Sequence, residues 1–288
     1  MHIIQCKPKR KPVTLIVGIV CQDGIVVAGD SQTTWGTGKS WSTNKMKEVD
    51  CVTGRALVAE SGSVFTSGLV VERFCELAKN AELFNRDGLR SVAAAAVRDV
   101  RNQLQAPLFE CSAEEFQEHI FRNDLECELM IAHYEDGPTI DTIKLSQGVA
   151  SRAKHFFEAV GSGSDLANYV LTDLCAPGMN FNEATLIAAH VVGVAKRHDP
   201  YCGGPTKLGV LGKPVSNYSP PIIYSADQVD RINRLVDEID KATKAKRAEV
   251  VQEAFRREAE EWRKQMDKDI LEWVKTVDCS QQRRLGEA

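Results

Sequence analysis

The segment from Thr14 to Asp30 constrains the fold more than any other part of the chain, and it reads TLIVGIVCQDGIVVAGD. Two apolar runs rich in β-branched residues, 15–21 and 25–28, flank an Asp-Gly pair, which is the strongest short-range signal for a β-hairpin. We therefore predict that the chain opens with a buried hairpin. Pairing about its turn would bring a hydroxyl and a carboxylate to the same end, although Thr in a strand and Asp in a turn are also ordinary sheet residues.

Composition narrows the class of protein. The chain has 288 residues, of which 43% are hydrophobic, so one large domain or two small ones can bury a core. A formal net charge of −4 argues against a nucleic-acid partner, despite the basic arm at residues 7–11. The apolar run at 13–21 is too short for a membrane span, and a turn and a second strand follow it, so we expect neither a signal peptide nor a membrane partner.

Cysteine usage and the glycine-rich turn argue against a cofactor. The nine cysteines include no Cys-x-x-Cys pair, which indicates neither a disulfide framework nor a zinc site and suits a reducing cytoplasm. The turn Gly161-Ser162-Gly163-Ser164 lacks both the further glycine of a dinucleotide site and the Gly-Lys pair of a P-loop. We therefore predict a cytoplasmic protein with no cofactor and no metal.

Hydrophobic periodicity predicts strands, two helices, strands, two helices and strands, an order that favours layered α+β packing. After a loop or irregular hairpin at 31–44, the predicted strands are 45–49, 56–59, 126–134, 139–145, 155–160, 207–211 and 222–224. The predicted helices are 64–78, 92–104, 165–174 and 182–197, the last of them capped by Asn182.

The chain becomes more highly charged after Tyr224. Ser225 and the three residues after it have the pattern of a helix cap, and charged segments with an apolar stripe then continue to about Val277. Trp262 and Trp273 lie on that stripe, which favours packing against a neighbouring surface. We predict a charged helical extension, 225–288, that serves oligomer assembly.

Individual residues that are capable of catalysis do not define a site by themselves. Lys45 fits an ordinary surface charge, and the segment from His198 to Cys202 suggests a Cys–His hydrolase only weakly, because a nucleophile and base from one tight turn are seldom well placed. Together with the opening hairpin and the turn at 161–163, however, these features resemble proteasome β-type N-terminal-nucleophile hydrolases, including bacterial proteasome-like peptidases. The resemblance extends over 14–211.

The resemblance implies a four-layer αββα sandwich at 14–224, preceded by an extension or propeptide at 1–13. It also implies a set of functional residues. The catalytic positions are Thr14, Asp30, Lys45, Ser162 and Asp199. The supporting or oxyanion positions are Ala59 and Cys202, and the substrate-pocket positions are Thr33, Thr43 and Leu57. In this family the hydroxyl of an N-terminal threonine attacks the peptide carbonyl, and the free α-amine, with a pKa near 8, is a usable base.

Three positions depart from the family pattern. Thirteen residues precede Thr14, and Val13 stands where self-processing members have glycine. Cys202 replaces a serine, and Ala59 replaces a glycine whose backbone N–H would be the oxyanion donor. The departures leave two hypotheses: a threonine peptidase that matures by losing 1–13, and a non-catalytic proteasome-like ring subunit that retains them.

The resemblance also implies partners. A peptide or unfolded protein is the expected substrate, and a homo-oligomeric ring is the expected assembly. An ATP-dependent unfoldase is left open as a further partner.

Overall fold

A computed structural model describes residues 14–35, 38–41, 45–51, 54–79, 88–106, 111–134, 137–153, 155–213 and 221–247, with a few positions from 249 to 261. The sequence predictions for Thr43, Trp262 and Trp273 lie outside these residues. Contacts divide the chain into two compact units, Met1–Arg234 and Leu235–Ala288.

The described residues form twelve strands and six helices. The strands are β1 (Leu15–Cys21), β2 (Gly24–Gly29), β3 (Gln32–Trp35), β4 (Gly38–Trp41), β5 (Met46–Cys51), β6 (Gly54–Gly62), β7 (Cys127–Tyr134), β8 (Pro138–Lys144), β9 (Ala150–Arg152), β10 (Phe157–Gly161), β11 (Lys207–Gly212) and β12 (Ile222–Ile223). The helices are α1 (Val64–Ala78), α2 (Gly88–Gln105), α3 (Ala113–Arg122), α4 (Ser164–Leu174), α5 (Phe181–His198) and α6 (226–247).

The opening hairpin is the centre of the first sheet. Strands β1 and β2 pair in antiparallel register from Ile16 opposite Gly29 to Cys21 opposite Gly24, which confirms the predicted hairpin. The sheet order is β10-β1-β2-β11-β12, so both hairpin strands are flanked by other strands. Both faces of the hairpin are covered, by α5 on one side and by β6, β7 and β8 on the other, so its strands read as continuous apolar runs rather than alternating ones.

The second sheet has the order β5-β6-β7-β8-β9 and is antiparallel throughout. Helices α1, α2 and α3 contribute to the apolar cluster on one of its faces, where Phe74 and Phe116 are fully buried. On the opposite side of the molecule, α5 contacts β1 and β2, and α4 contacts β10. Each sheet therefore has helices on its outer face.

The inner faces of the two sheets meet in a second apolar core. Ile16, Val27 and Leu57 are among its buried members. The sheets approach closely at Gly18, where an added Cβ would lie 2.7 Å from the Met130 sulfur. The four layers are thus helices, sheet, sheet and helices, which confirms the αββα sandwich.

Three elements differ from the sequence prediction, and one of them is the three-residue strand β9, which was not predicted. Helix α3 was not predicted, although Ser112 and Glu115 form a capping box before it. Helix α5 is capped by Asn180 rather than Asn182, since the Asn180 side chain accepts the Glu183 N–H at 3.0 Å. The cap prediction was wrong because two asparagines stand two residues apart, and only the first has a glutamate three residues after it.

Helix α6 begins at the predicted cap. The Ser225 hydroxyl accepts the Gln228 N–H at 3.4 Å, and the Gln228 side chain accepts the Ser225 N–H at 2.9 Å. None of the helices in the described ranges is long and apolar enough to cross a membrane.

Substitution Gly24→Ala tests the hairpin junction. Gly24 has φ of 151°, and an added Cβ would lie 2.1 Å from the Leu211 carbonyl oxygen of β11. We expect Gly24→Ala to lower the free energy of unfolding by about 2–4 kcal/mol, measured by denaturant unfolding. The matched control is Gly68→Ala in α1, where an added Cβ meets nothing within 4 Å. This control should raise stability by about 0.5–1 kcal/mol, and equal effects of the two substitutions would contradict the described junction.

Candidate active site

Thr14 and Asp30 lie together at one end of the opening hairpin, just before β1 and just after β2. The Leu15 N–H donates to Asp30 Oδ1 at 3.0 Å, and the Asp30 N–H donates to the Leu15 carbonyl at 3.1 Å. Both Thr14 and Asp30 are fully buried. Antiparallel pairing therefore fixes the acid beside the hydroxyl residue through backbone bonds.

The Asp30 carboxylate is held by three backbone amides from different segments. Besides Leu15, the Gln32 N–H donates to Oδ2 at 3.3 Å and the Gly203 N–H donates to Oδ2 at 2.8 Å. Burial raises the pKa of Asp30, while the Lys45 ammonium and the three amides oppose that rise. The amides replace part of the hydration that a buried carboxylate loses.

Lys45 connects the acid to the hydroxyl. Its Nζ donates to Thr14 Oγ1 and to the Gln32 carbonyl, and it lies 3.9 Å from Asp30 Oδ1. Burial lowers the pKa of Lys45, and Asp30 opposes that shift. A cation in contact with a threonine hydroxyl favours the alkoxide-like form of that oxygen, so this pair has the geometry of an activated nucleophile.

Ser162 lies in the turn between β10 and α4 and contacts the backbone of Thr14. Its Oγ accepts the Thr14 N–H at 3.4 Å and donates to the Thr14 carbonyl at 3.4 Å. The preceding Gly161 has φ of 98°, and a Cβ there would lie 2.0 Å from the Thr14 carbonyl oxygen. Only glycine allows the turn to approach Thr14 this closely.

Side-chain contacts continue from Ser162 to Cys202 and from Cys202 to Asp199, the residue that follows α5. The Cys202 thiol donates to Asp199 Oδ2 at 3.5 Å and lies 4.0 Å from Ser162 Oγ. Burial raises the pKa of Cys202 to about 12, so its thiol is neutral. Cys202 is thus a weak hydrogen-bonding link between Ser162 and Asp199, whereas His198, its partner in the Cys–His hydrolase interpretation, is exposed.

The remaining predicted residues that the structure describes are Ala59, Thr33 and Leu57. Ala59 is buried in β6 opposite Met46, the residue after Lys45, and its oxyanion role stays a prediction. Thr33 is buried, and its hydroxyl has no hydrogen-bond partner in the described chain. Leu57 packs in the core between the sheets with no exposed surface, so its side chain belongs to that core, and its role in a substrate pocket stays a prediction.

Lys196 is a neighbour of the site that the sequence did not reveal. Its Nζ donates to Thr206 Oγ1 at 2.6 Å. Burial lowers the pKa of Lys196 to about 8, while Asp30 and Cys202 oppose that shift. The spacing of Lys196 three residues before Asp199 on a helix is the only sequence signal for it.

No group of three or more His, Cys, Asp or Glu side chains in the described ranges could hold a metal ion.

Comparison with known proteins identifies the family of the chain. The profile described as "Proteasome subunit" matches residues 13–211. The chain belongs to the proteasome subunit family. Proteasome subunit beta 1 of Thermococcus onnurineus is 24% identical over 190 residues, covering 66% of this chain and 84% of the relative. Proteasome subunit beta 2 of Hyperthermus butylicus is 24% identical over 200 residues, covering 69% and 85%.

Solved structures of bacterial proteasome-like proteins share the fold. The Anbu (Gly-1) mutant from Hyphomicrobium sp. strain MC1 superposes with a TM-score of 0.61 at 16% identity, covering 81% of this chain and 98% of that one. Anbu from Pseudomonas aeruginosa, described as a helical assembly, has a TM-score of 0.60 at 18% identity, covering 81% and 96%.

Substitution Asp30→Asn tests the three-amide anchor. An asparagine would direct its NH2 group at a backbone donor and leave Lys45 without its acid, so we expect the free energy of unfolding to fall by about 3 kcal/mol. The control is Ser31→Ala, because Ser31 is equally buried and its hydroxyl has no partner within the described residues. This control should change stability by less than about 0.5 kcal/mol. Denaturant unfolding measures both, and a mild effect of Asp30→Asn would contradict the anchor.

Proposed function

We propose that the chain is a proteasome-like threonine endopeptidase whose nucleophile is the Thr14 hydroxyl, exposed as an N-terminal residue by removal of 1–13. The observation that carries this proposal is the contact between Lys45 Nζ and Thr14 Oγ1, with the Asp30 carboxylate behind the ammonium. The family assignment supports it, because Thr14, Asp30 and Lys45 all lie in the matched segment.

The proposed reaction is acyl transfer followed by hydrolysis. The free α-amine of Thr14 accepts the hydroxyl proton while Oγ1 attacks the peptide carbonyl, and the Ala59 N–H donates to the oxyanion. Collapse of the tetrahedral intermediate breaks the peptide C–N bond, and the proton returns to the leaving amine. Water, deprotonated by the same α-amine, then hydrolyses the ester. Ser162 and Asp199 orient the amine.

The backbone at Thr14 supports removal of the preceding segment. Thr14 has φ of 151°, a conformation that L residues with a side chain rarely adopt. Such a conformation costs about 1–3 kcal/mol. Cleavage before Thr14 removes the carbonyl carbon that defines this dihedral angle and therefore relieves the strain.

A non-catalytic subunit is the second candidate, and the amide link to Val13 favours it. While that bond is intact, Thr14 has no α-amine and therefore no base of its own. Its side chain is also fully buried. In this case the residues around Thr14 would stabilise the fold of a structural subunit.

The proposal of a proteasome-like peptidase also includes an assembly and a class of substrate, which we infer from the family. We infer a homo-oligomer, since the structurally similar Anbu protein of Pseudomonas aeruginosa is described as a helical assembly. We infer a cytoplasmic location from the cysteine usage. The substrate is an extended peptide or an unfolded protein, because a nucleophile at a strand end suits an extended chain. Thr33 and Thr43 would line a small neutral pocket.

Substitution Thr14→Ala separates the two functions. For a peptidase, the assembled wild-type protein has Thr14 as its N-terminal residue and hydrolyses short fluorogenic peptides. Thr14→Ala should lower kcat at least about 1,000-fold, whereas Thr14→Ser, which keeps a hydroxyl, should retain measurable activity. N-terminal sequencing and fluorescence measure these outcomes. An intact Met1 in the assembled wild-type protein, with no hydrolysis, would favour the structural subunit.

Substitution Cys202→Ser tests the link between Ser162 and Asp199. A hydroxyl is a stronger donor and acceptor than a thiol, so we expect kcat to rise about 2- to 10-fold with little change in stability. Cys175→Ser, at the end of α4, is the control and should leave kcat unchanged. A lower kcat in Cys202→Ser would indicate that the thiol itself is required.

A further inference from the structure

Gln32 is a residue of β3 whose backbone belongs to the candidate site but whose side chain the proposed mechanism does not use. Its N–H donates to Asp30 Oδ2 at 3.3 Å, and its carbonyl accepts Lys45 Nζ. Gln32 is only 2% exposed. A side-chain amide that loses its hydration at this depth needs hydrogen-bond partners within the protein, so its contacts show what the side chain holds.

The Gln32 side chain contacts the loop after α5. Its Nε2 donates to the Pro200 carbonyl at 3.3 Å. The same amide lies against Gly203, where an added Cβ would be 3.2 Å from Gln32 Cδ and would overlap Oε1. The Ser31 and Gln32 N–H groups also donate to the Gly203 carbonyl, at 3.2 and 3.0 Å. The loop at 200–203 is therefore attached to the start of β3 at both of its ends.

The loop at 200–203 carries groups of the candidate site. The Gly203 N–H donates to Asp30 Oδ2 at 2.8 Å. The Cys202 thiol lies 4.0 Å from Ser162 Oγ, which contacts the backbone of Thr14. A shift of the loop would therefore change the surroundings of the acid and of Ser162 together.

The loop has features that make such a shift easy. Pro200 and Tyr201 are exposed, and two consecutive glycines, Gly203 and Gly204, follow Cys202. Exposed chain that contains glycine has many accessible conformations unless contacts restrict it. The contacts that hold the loop therefore determine whether the Gly203 amide stays on the acid.

We propose that Gln32 is a positioning residue of the active site, whose side chain holds the loop at 200–203 so that the Gly203 amide stays on the Asp30 carboxylate. The catalytic consequence rests on the proposed peptidase function, but the contact itself does not. Loss of the contact would free one of the three amide donors of the acid that lies behind Lys45.

Lys39 of β4 is a second donor to the same carbonyl. Its Nζ lies 2.9 Å from the Pro200 oxygen, but its side chain is exposed. An exposed ammonium exchanges a protein partner for water at little cost, whereas a buried amide loses more when its partner is removed. We therefore assign the restraint of the loop to Gln32 rather than to Lys39.

The geometry of β3 separates this role from substrate binding. Successive side chains of a strand point to opposite faces, so Thr33, the predicted pocket residue, lies on the other face of β3 from Gln32. Loss of the Gln32 contact should therefore affect the surroundings of the nucleophile more than the pocket. The expected effect is on kcat rather than on KM.

Gln32→Met and Gly203→Ala test the role. Gln32→Met removes the donor at similar volume, and the Cβ of Gly203→Ala would displace the Gln32 amide from the loop. The control is Gln105→Met, because Gln105 donates to the Cys111 carbonyl at 3.4 Å, in the helical layer of the other sheet. Amide hydrogen exchange of the peptide at 199–204 measures the restraint, and kcat and KM for a fluorogenic peptide measure its consequence. Thermal unfolding checks that each variant folds.

We expect Gln32→Met to speed exchange of 199–204 about 5- to 10-fold and to lower kcat about 10-fold, with KM changed less than about 2-fold. Gly203→Ala should act in the same direction. Lys39→Met should change exchange and kcat less than about 2-fold, and Gln105→Met should match the wild type.

Unchanged exchange in Gln32→Met overturns the proposal. So does an unchanged kcat in an active enzyme, a change confined to KM, or an equal loss in Lys39→Met. Faster loop exchange in Gln32→Met, together with a wild type that hydrolyses no peptide, would support the contact and refute the peptidase.

Discussion

The buried Asp30 carboxylate is the interaction on which the rest of the site depends. Its three amide donors come from the start of β1, the residue that begins β3, and the loop after α5. Lys45 is the only cation the structure gives within 4 Å of it among the described residues. A carboxylate removed from water needs these donors, so the acid joins its own end of the hairpin to the distant loop at Gly203 and fixes the ammonium in contact with Thr14.

The stacking of two sheets supplies the enclosure that this arrangement needs. Gly18 in β1 and Gly209 in β11 have no side chains, and Met130 and Leu57 of the facing sheet occupy that space. The sheets therefore approach closely at the middle of these strands, and Thr14, Asp30 and Lys45 beside the strand ends are buried. In such an environment the contact between Lys45 and the hydroxyl is electrostatically stronger than at a surface.

Local patterns in the sequence predicted the hairpin and the layered α+β order, whereas the four-layer αββα sandwich was predicted through the resemblance to the family. Asp-Gly between apolar runs predicts a turn wherever it occurs. The approach of Ser162 to Thr14 and of Cys202 to Ser162 was reached only through resemblance, since no local pattern brings together residues 148 and 40 positions apart. Lys196 was missed because a lysine on a helix carries no signal of its tertiary neighbours, which only the packing determines.

The contribution of Gly203 has a consequence for the order of events during synthesis. This amide is the closest of the three donors to Asp30, and it belongs to a residue made 173 positions after the acid. A nascent chain that has emerged only as far as α5 lacks this donor, and it also lacks β11, which covers the edge of β2. The ribosome must therefore release the chain to beyond Gly203 before Asp30 can acquire its full set of donors and the surroundings of Thr14 are complete.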